Sequence, residues 1–282
     1  MQLYPKGLNK YRTALRCSFT YNFNDRTTLG MIFTLSIFQL ASLTLVISFL
    51  FLLFKLVETN WSYKISKPYS WEEAIKNGEV SKNLKKIERS YRDKVRLYTF
   101  WFQIQRLKRE GIHGAFAEVG VYQGETAKMI HEMDNTRDFH LFDTFEGFSK
   151  QDIETEKVNS VNRSIDFSDT TLEAVMKYVN GNENVKFHKG YFPDSAKNLP
   201  EEKYAFVHLD ADLYNPTRAG LHYFYPRLTE GGVIIIHDYN HTWEGVTKAV
   251  DEFSKTIPEN LVAISDWQGS VTIVKSTPLK IK

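Results

Sequence analysis

The sequence predicts an α/β fold: a mostly parallel, seven-stranded sheet with one antiparallel strand, preceded by N-terminal helices and one membrane-crossing helix. Three observations predict it. From Ala115 onward, short apolar runs alternate with helix-like segments, the pattern of βαβ units. The C-terminal tail holds two strand-like runs close enough in sequence to pair as a hairpin. Near the N-terminus, no residue between Arg26 and Lys55 carries a charge.

Residues 1–28 read as a basic, polar and aromatic tail, and 29–54 as a transmembrane helix. About 20 apolar residues cross a bilayer as a helix. A signal peptide would carry an apolar stretch of only about 7–15 residues and a small-residue cleavage site. This run is longer, starts late and ends Phe51-Leu-Leu-Phe54-Lys55. Residues 55–110 form a linker and helical cap. Within it Ser70-Trp-Glu-Glu73 reads as a capping box opening a helix that stops at Asn77-Gly78. A single longer helix is expected from Lys82 to Arg109, on the stripe Ile87, Tyr91, Val95, Tyr98, Phe102 and Ile104.

Residues 111–282 form the main domain. Strands are expected at Ala115–Val119, Phe139–Phe142, Val185–His188, Ala205–Leu209 and Val233–Ile236. Asn215-Pro216 reads as an N-cap with proline at the first helical position, and Thr229-Glu-Gly-Gly232 as the end of that helix. Leu261–Ile264 and Val271–Val274 are the hairpin strands.

Composition narrows the function. Lys+Arg number 36 against 34 Asp+Glu, a net charge of +2 with no concentrated basic face, so a nucleic-acid partner is not expected. Cys17 is the single cysteine, which excludes an intramolecular disulfide and any thiolate metal cluster. With 42% hydrophobic and 14% aromatic residues, the chain can bury a large core.

Ligands of open parallel sheets bind beyond the C-terminal strand ends. After the first strand comes Glu118-Val-Gly120-Val-Tyr-Gln-Gly124. Gly120 permits a tight turn and close backbone approach, and Gly124 lets the next helix start near the strand. Glu118 is assigned to orienting the turn or a ligand's amino group. The middle glycine that brings amides against a pyrophosphate is missing, which favours S-adenosylmethionine (SAM) over a nicotinamide dinucleotide. Asp143, after the second strand, is placed to accept the ribose hydroxyls of an adenosine group, with a helix N-cap as the bland alternative. Five parallel strands followed by a pair with an antiparallel member also match the Rossmann-like, seven-stranded sheet of class I SAM-dependent methyltransferases.

After the fourth strand comes Asp210-Ala-Asp212, and after the fifth His237-Asp238. Four ionisable groups therefore converge where a cofactor would lie. A sulfonium methyl is already activated, so the remaining work is placement and removal of the acceptor's proton. An alcohol is a weak acid. Either a metal lowers its pKa, or a carboxylate or histidine takes the proton during transfer.

Together, Glu118–Gly124, Asp143-Thr-Phe-Glu-Gly-Phe148, Phe206–Tyr214, Tyr225-Pro-Arg-Leu228 and Gly231–Tyr239 resemble the macrocin O-methyltransferase family over roughly residues 98–275. The resemblance implies SAM as cofactor, a sugar hydroxyl as acceptor, Asp210 and Asp238 as magnesium ligands and Asp212 as general base. His237 stands where the family usually has a third acidic ligand. Magnesium prefers oxygen donors, and imidazole suits manganese or another transition metal better, so either the metal set is Asp210, His237 and Asp238 with its ion open, or His237 has another role and metal dependence is reduced. The resemblance does not extend over residues 1–60, where the membrane helix is an addition.

The expected protein is thus a membrane-anchored O-methyltransferase acting on a sugar or a glycosylated, lipid-linked substrate, with a homodimer left open. A nicotinamide-dependent oxidoreductase and a non-catalytic membrane adaptor that binds SAM are the alternatives. Orientation is finely balanced. Lys6, Lys10, Arg12, Arg16 and Arg26 favour a cytoplasmic N-terminus, while the cluster from Lys82 to Arg96 pulls the other way. SAM supply places the large domain in the cytoplasm.

Overall fold

The computed structural model describes residues 26–156, 167–240 and 243–277; most of the basic tail lies outside the described residues. The chain divides into two compact units, Met1–Lys67 and Pro68–Lys282.

In the first unit, helix α1 runs from Arg26 to Ser66. Its stretch Ser36–Asn60 has a mean hydropathy of 2.4, and none of it is buried. At 1.5 Å per residue these 25 residues reach about 38 Å, longer than a hydrocarbon core of about 30 Å. Every backbone group inside a helix is satisfied locally, and the Thr44 hydroxyl donates to the Leu40 carbonyl at 2.9 Å. The helix is long and apolar enough to cross a membrane.

The second unit opens with three helices, α2 (Tyr69–Lys76), α3 (Lys82–Ser90) and α4 (Lys94–Arg109). Two expectations are corrected here. Ser70 does not cap: Pro68 holds the cap position, and Ser70 lies inside α2. The single helix expected from Lys82 to Arg109 is two helices. It breaks after Ser90 because Asp93 is a stronger signal than the apolar stripe. The Asp93 Oδ1 accepts from Arg96 N at 3.0 Å and starts α4 afresh. The break sends α4 beneath the sheet, where Trp71 meets Tyr98 and Trp101 edge-on.

The sheet follows: β1 (Ala115–Val119), β2 (Phe139–Asp143), β3 (Val185–Lys189), β4 (Tyr204–Leu209), β5 (Leu228–Ile236), β6 (Val262–Ile264) and β7 (Ser270–Val274). Its order is β3-β2-β1-β4-β5-β7-β6. The first five strands are parallel, and β7 runs antiparallel to both β5 and β6. Helices α5 (Glu125–Met133), α6 (Lys150–Glu156), α7 (Leu172–Val179), α8 (Tyr214–Arg227) and α9 (Glu244–Ser254) complete the unit. All five residues of β1 are buried. Alternation splits the side chains of β1 and β4 between two cores. Phe116 and Phe206 join Phe100, Ile104 and Leu107 on one face. Ala117, Val119, Val207 and Leu209 join Leu221, Phe224 and Val250 on the other.

Two details of α8 differ from expectation. Leu213, not Asn215, holds its cap position, and the Asn215 amide instead donates to Asp152 at 3.0 Å. Thr229–Gly232 does not close the helix as a loop but belongs to β5. Pro226 lies in the last helical turn, and the chain passes straight from Arg227 into a strand that pairs with Lys275 through Gly231 N and Gly232 O. A register shift between Tyr204 and Phe206 of β4 absorbs the extra residues.

Candidate active site

The strand order reverses between β1 and β4, and a ligand cavity is expected at that point. A cavity of about 740 Å³ opens there, walled by the loops that follow β1, β2, β4 and β5. Gly120, Asp143, Asp210, Asp212, His237 and Asp238 all line it.

Gly120 sits at φ +85°, and a Cβ there would fall 1.9 Å from the Asp210 carbonyl oxygen. No side chain fits, so this glycine lets the ends of β1 and β4 lie together. Gly124 has a different neighbour from the one expected. It is the left-handed cap of α5, and its Cα faces Val175 and Val179 of α7 rather than the strand. Glu118 does not line the cavity. It is fully buried, and its Oε1 lies 2.7 Å from His208 Nδ1. Burial pushes its carboxyl up, opposed by His208.

Asp143 clamps the two loops. One oxygen accepts from Val121 N at 2.7 Å and Tyr122 N at 2.9 Å, and the other from Phe145 N at 2.6 Å. No helix follows directly, since α6 begins only at Lys150. The carboxylate therefore holds the glycine turn in shape at the cavity wall. Above it, Phe167 packs edge-on against Tyr122 and Phe148, and Phe148 against Trp243.

The acidic cluster forms as expected from adjacent parallel strands. His237 Nδ1 lies 2.7 Å from Asp210 Oδ1 and 3.2 Å from Asp238 Oδ2. The donor atoms of Asp210, His237 and Asp238 all fall within 4.8 Å of one another. Asp212 (φ +59°) and Asp238 (φ +60°) are both left-handed, a conformation costly for residues other than glycine. Such strain persists only where the surroundings hold it, and here it turns both carboxylates into one cavity.

The electrostatics divide the carboxylates. Burial raises the Asp210 carboxyl, but His237, His208 and Arg96 outweigh it and hold it below the usual range. Among the described residues, no ion pair to a cation is found at Asp212. Burial, then Asp238 and Asp210, push it well above an ordinary carboxylate. Burial lowers His237, yet Asp210 and Asp238 win and raise it to about 9. The cluster is thus short of positive charge. Two carboxylates and an imidazole with convergent donor atoms fit a transition-metal dication better than magnesium.

Several neighbours are not legible in the sequence. Arg96 of α4 is buried with its guanidinium 3.6 Å from Asp210, 3.7 Å from Asp93 and 3.6 Å from Asp266. Gln268, from the β6–β7 loop, donates to Asp238 Oδ1 at 3.0 Å. The Asp93 cap, which aims α4, is the one local signal that could have located Arg96.

A family model described as macrocin O-methyltransferase matches residues 60–272. The chain is 31% identical over 152 residues to a mycinamicin III 3''-O-methyltransferase of Micromonospora griseorubida, covering 48% of this chain and 59% of that protein. It is 27% identical over 157 residues to the 8-demethyl-8-(2,3-dimethoxy-α-L-rhamnosyl)-tetracenomycin-C 4'-O-methyltransferase of Streptomyces olivaceus, covering 51% and 60%. The chain thus spans about 60% of the length of these curated relatives. Among solved structures, the O-methyltransferase NovP superposes with a TM-score of 0.54 at 23% identity, over 65% of this chain and 81% of that one. The calicheamicin methyltransferase CalS11 gives 0.51 at 18%, over 74% and 87%. Both share the fold. With the family match spanning most of its length, the chain belongs to the macrocin O-methyltransferase family.

Proposed function

We propose that this protein is a membrane-anchored, SAM-dependent O-methyltransferase that acts on a sugar hydroxyl of a glycosylated, lipid-linked acceptor. The observation that carries the reading is the convergence of Asp210, Asp212, His237 and Asp238 with the Gly120 turn in one cavity. Family membership supports it, as does a relative whose name specifies a rhamnosyl substrate. The aromatic wall of Tyr122, Phe148 and Phe167 is suited to the flat face of an adenine or a pyranose.

Asp143, already fixed by three backbone amides, keeps lone pairs for the ribose hydroxyls and holds the adenosine against the Gly120 turn. Asp212 takes the acceptor's proton as the methyl group moves. Its raised affinity for a proton makes it a stronger base than an ordinary carboxylate. Asp210, Asp238 and His237 would hold a divalent cation, which would supply Lewis acidity that lowers the hydroxyl's pKa. Arg96 and Gln268 keep Asp210 and Asp238 in place.

Methyl transfer from SAM to a panel of lipid-linked glycans, with and without chelator, tests the reading. Transfer that chelation abolishes and added metal restores is expected. Binding of SAM without transfer would leave only an adaptor, and NADH displacing SAM would point to an oxidoreductase.

The apolar stretch of α1 supports the anchor, and SAM supply supports a cytoplasmic catalytic unit. Cys17 then lies on the outer side as the chain's only thiol. A membrane-impermeant maleimide should label it in intact cells, and labelling only after lysis would reverse the orientation.

A further inference from the structure

A second group of donors lies at the opposite edge of the sheet, where β2, β3 and β4 begin. Asp138 precedes β2, His140 is its second residue, and Glu202 leads into β4 across the intervening β1. The donor atoms of Asp138, His140 and Glu202 all fall within 4.8 Å of one another. We propose that these three residues form a second metal site, which takes one transition-metal dication of the zinc or cobalt class.

The state of His140 carries the argument. Its side chain is 5% exposed, and its Nε2 sits 2.9 Å from Glu202 Oε2. Despite that distance, Nε2 makes no hydrogen bond to any described residue. Its other nitrogen, Nδ1, lies 2.9 Å from His188 Nε2 of β3, with the two rings within 5° of coplanar. If His188 were the donor, the His140 proton would sit on Nε2 and would need alignment with Glu202, which the contact lacks. If Nδ1 is the donor, Nε2 carries a bare lone pair beside a carboxylate oxygen. Two such atoms repel at that distance unless a cation lies between them. A ligating histidine commonly donates its second N–H to an outer acceptor, which fixes its tautomer and aim. His188 Nε2 is that acceptor.

The donor set also selects the ion. One imidazole with two carboxylates matches zinc-type sites that keep an open position, and it offers too few oxygens for magnesium or calcium. Asp138 and Glu202 also line a solvent-open cavity of about 760 Å³, which gives an entry path. The charge now at Asp138 is Lys186, whose Nζ lies 2.6 Å away and whose side chain is 42% exposed. An ion would displace it into solvent. Because Glu202 leads into β4, while Asp138 leads into β2 and His140 belongs to it, the metal would tie two strands across β1. The length of β2, about 15 Å, separates this site from the methyl-transfer cluster.

The test uses full-length protein in detergent, stripped of metal and titrated with Co²⁺ and Zn²⁺. The background is Asp210→Asn with Asp238→Asn, so the first cluster cannot contribute. One equivalent of metal should still bind, with a visible cobalt d–d band and a raised melting temperature on adding zinc. His140→Gln should abolish that equivalent. Glu202→Gln, closer to the surface and less disruptive to folding, should weaken it at least tenfold, and His188→Gln by about 10–100-fold. No bound metal in the double variant overturns the proposal. So does unchanged affinity in a folded Glu202→Gln or His140→Gln protein. Methyl transfer is not the readout, so failure here and failure of the functional reading are separate results.

Discussion

The two ends of this sheet hold similar residues in different frames. At the C-terminal ends, Asp210, Asp212, His237 and Asp238 sit on loops, and two of them have left-handed backbones. Towards the other end, His140 near the start of β2 and its partner His188 further along β3 lie in regular strands, paired in register with their neighbours. The charges differ too. The upper cluster crowds three carboxylates around one imidazole, which raises His237, while burial and then the same crowding raise Asp212. At the lower edge, burial, helped by His188 and Lys186, lowers His140 to about 4. One residue type thus holds its proton more tightly among acids and more loosely between strands. The difference teaches that strain and unbalanced charge mark the end proposed to react, while regular backbone marks the end that holds the sheet together.

The sharpest way to break the comparison is Asp212→Asn. It keeps the shape and removes the proposed base, so turnover should fall by about 10²–10⁴-fold, while isothermal titration finds SAM affinity nearly unchanged. A normal rate would move the chemistry elsewhere. Phe206→Ala acts midway between the two ends. Phe206 is fully buried, against Phe100 at 5.5 Å and Phe116 at 5.4 Å between ring centroids. It should cost about 3–5 kcal/mol in urea denaturation. A loss below about 1 kcal/mol would mean that the core repacks.

The smallest effect is expected at Glu259, outside both clusters. Burial raises this carboxyl, but Ser276 and Tyr225 bind it and bring it down to about 2. Its contribution is present above the unfolded value of 4.5 and fades as pH falls towards 2. Solvent screening limits it to about 1 kcal/mol or less. Glu259→Gln should flatten the acid side of the stability profile in that window. A profile identical to the parent's would show that the contacts of Glu259 carry no stability.

Much of the candidate site's geometry was legible because parallel strands place their C-terminal ends side by side. Reading Asp210 and Asp212 after β4, and His237 and Asp238 after β5, was enough to bring them together. The glycine turn was legible for the same reason. The reach of single side chains was not. Glu118 falls on the face that looks towards His208 and away from the cavity, which its place beside Gly120 does not reveal. The helix break at Tyr91 was missed because an apolar stripe continues through it while a cap two residues later restarts the backbone.

The sequence by itself determined the strands, their helical partners, the apolar N-terminal stretch and the donors at the strand ends. Those are properties of local periodicity and of chain order, which neighbouring residues impose on one another. Only the tertiary structure decided which charges compensate those donors. Arg96 reaches Asp210 from 114 positions earlier, Gln268 reaches Asp238 from a later hairpin, and Glu202 meets His140 across a strand. Coulombic and hydrogen-bonding partners act through distances of a few ångströms in space. The folded sheet sets those distances, and spacing along the chain does not.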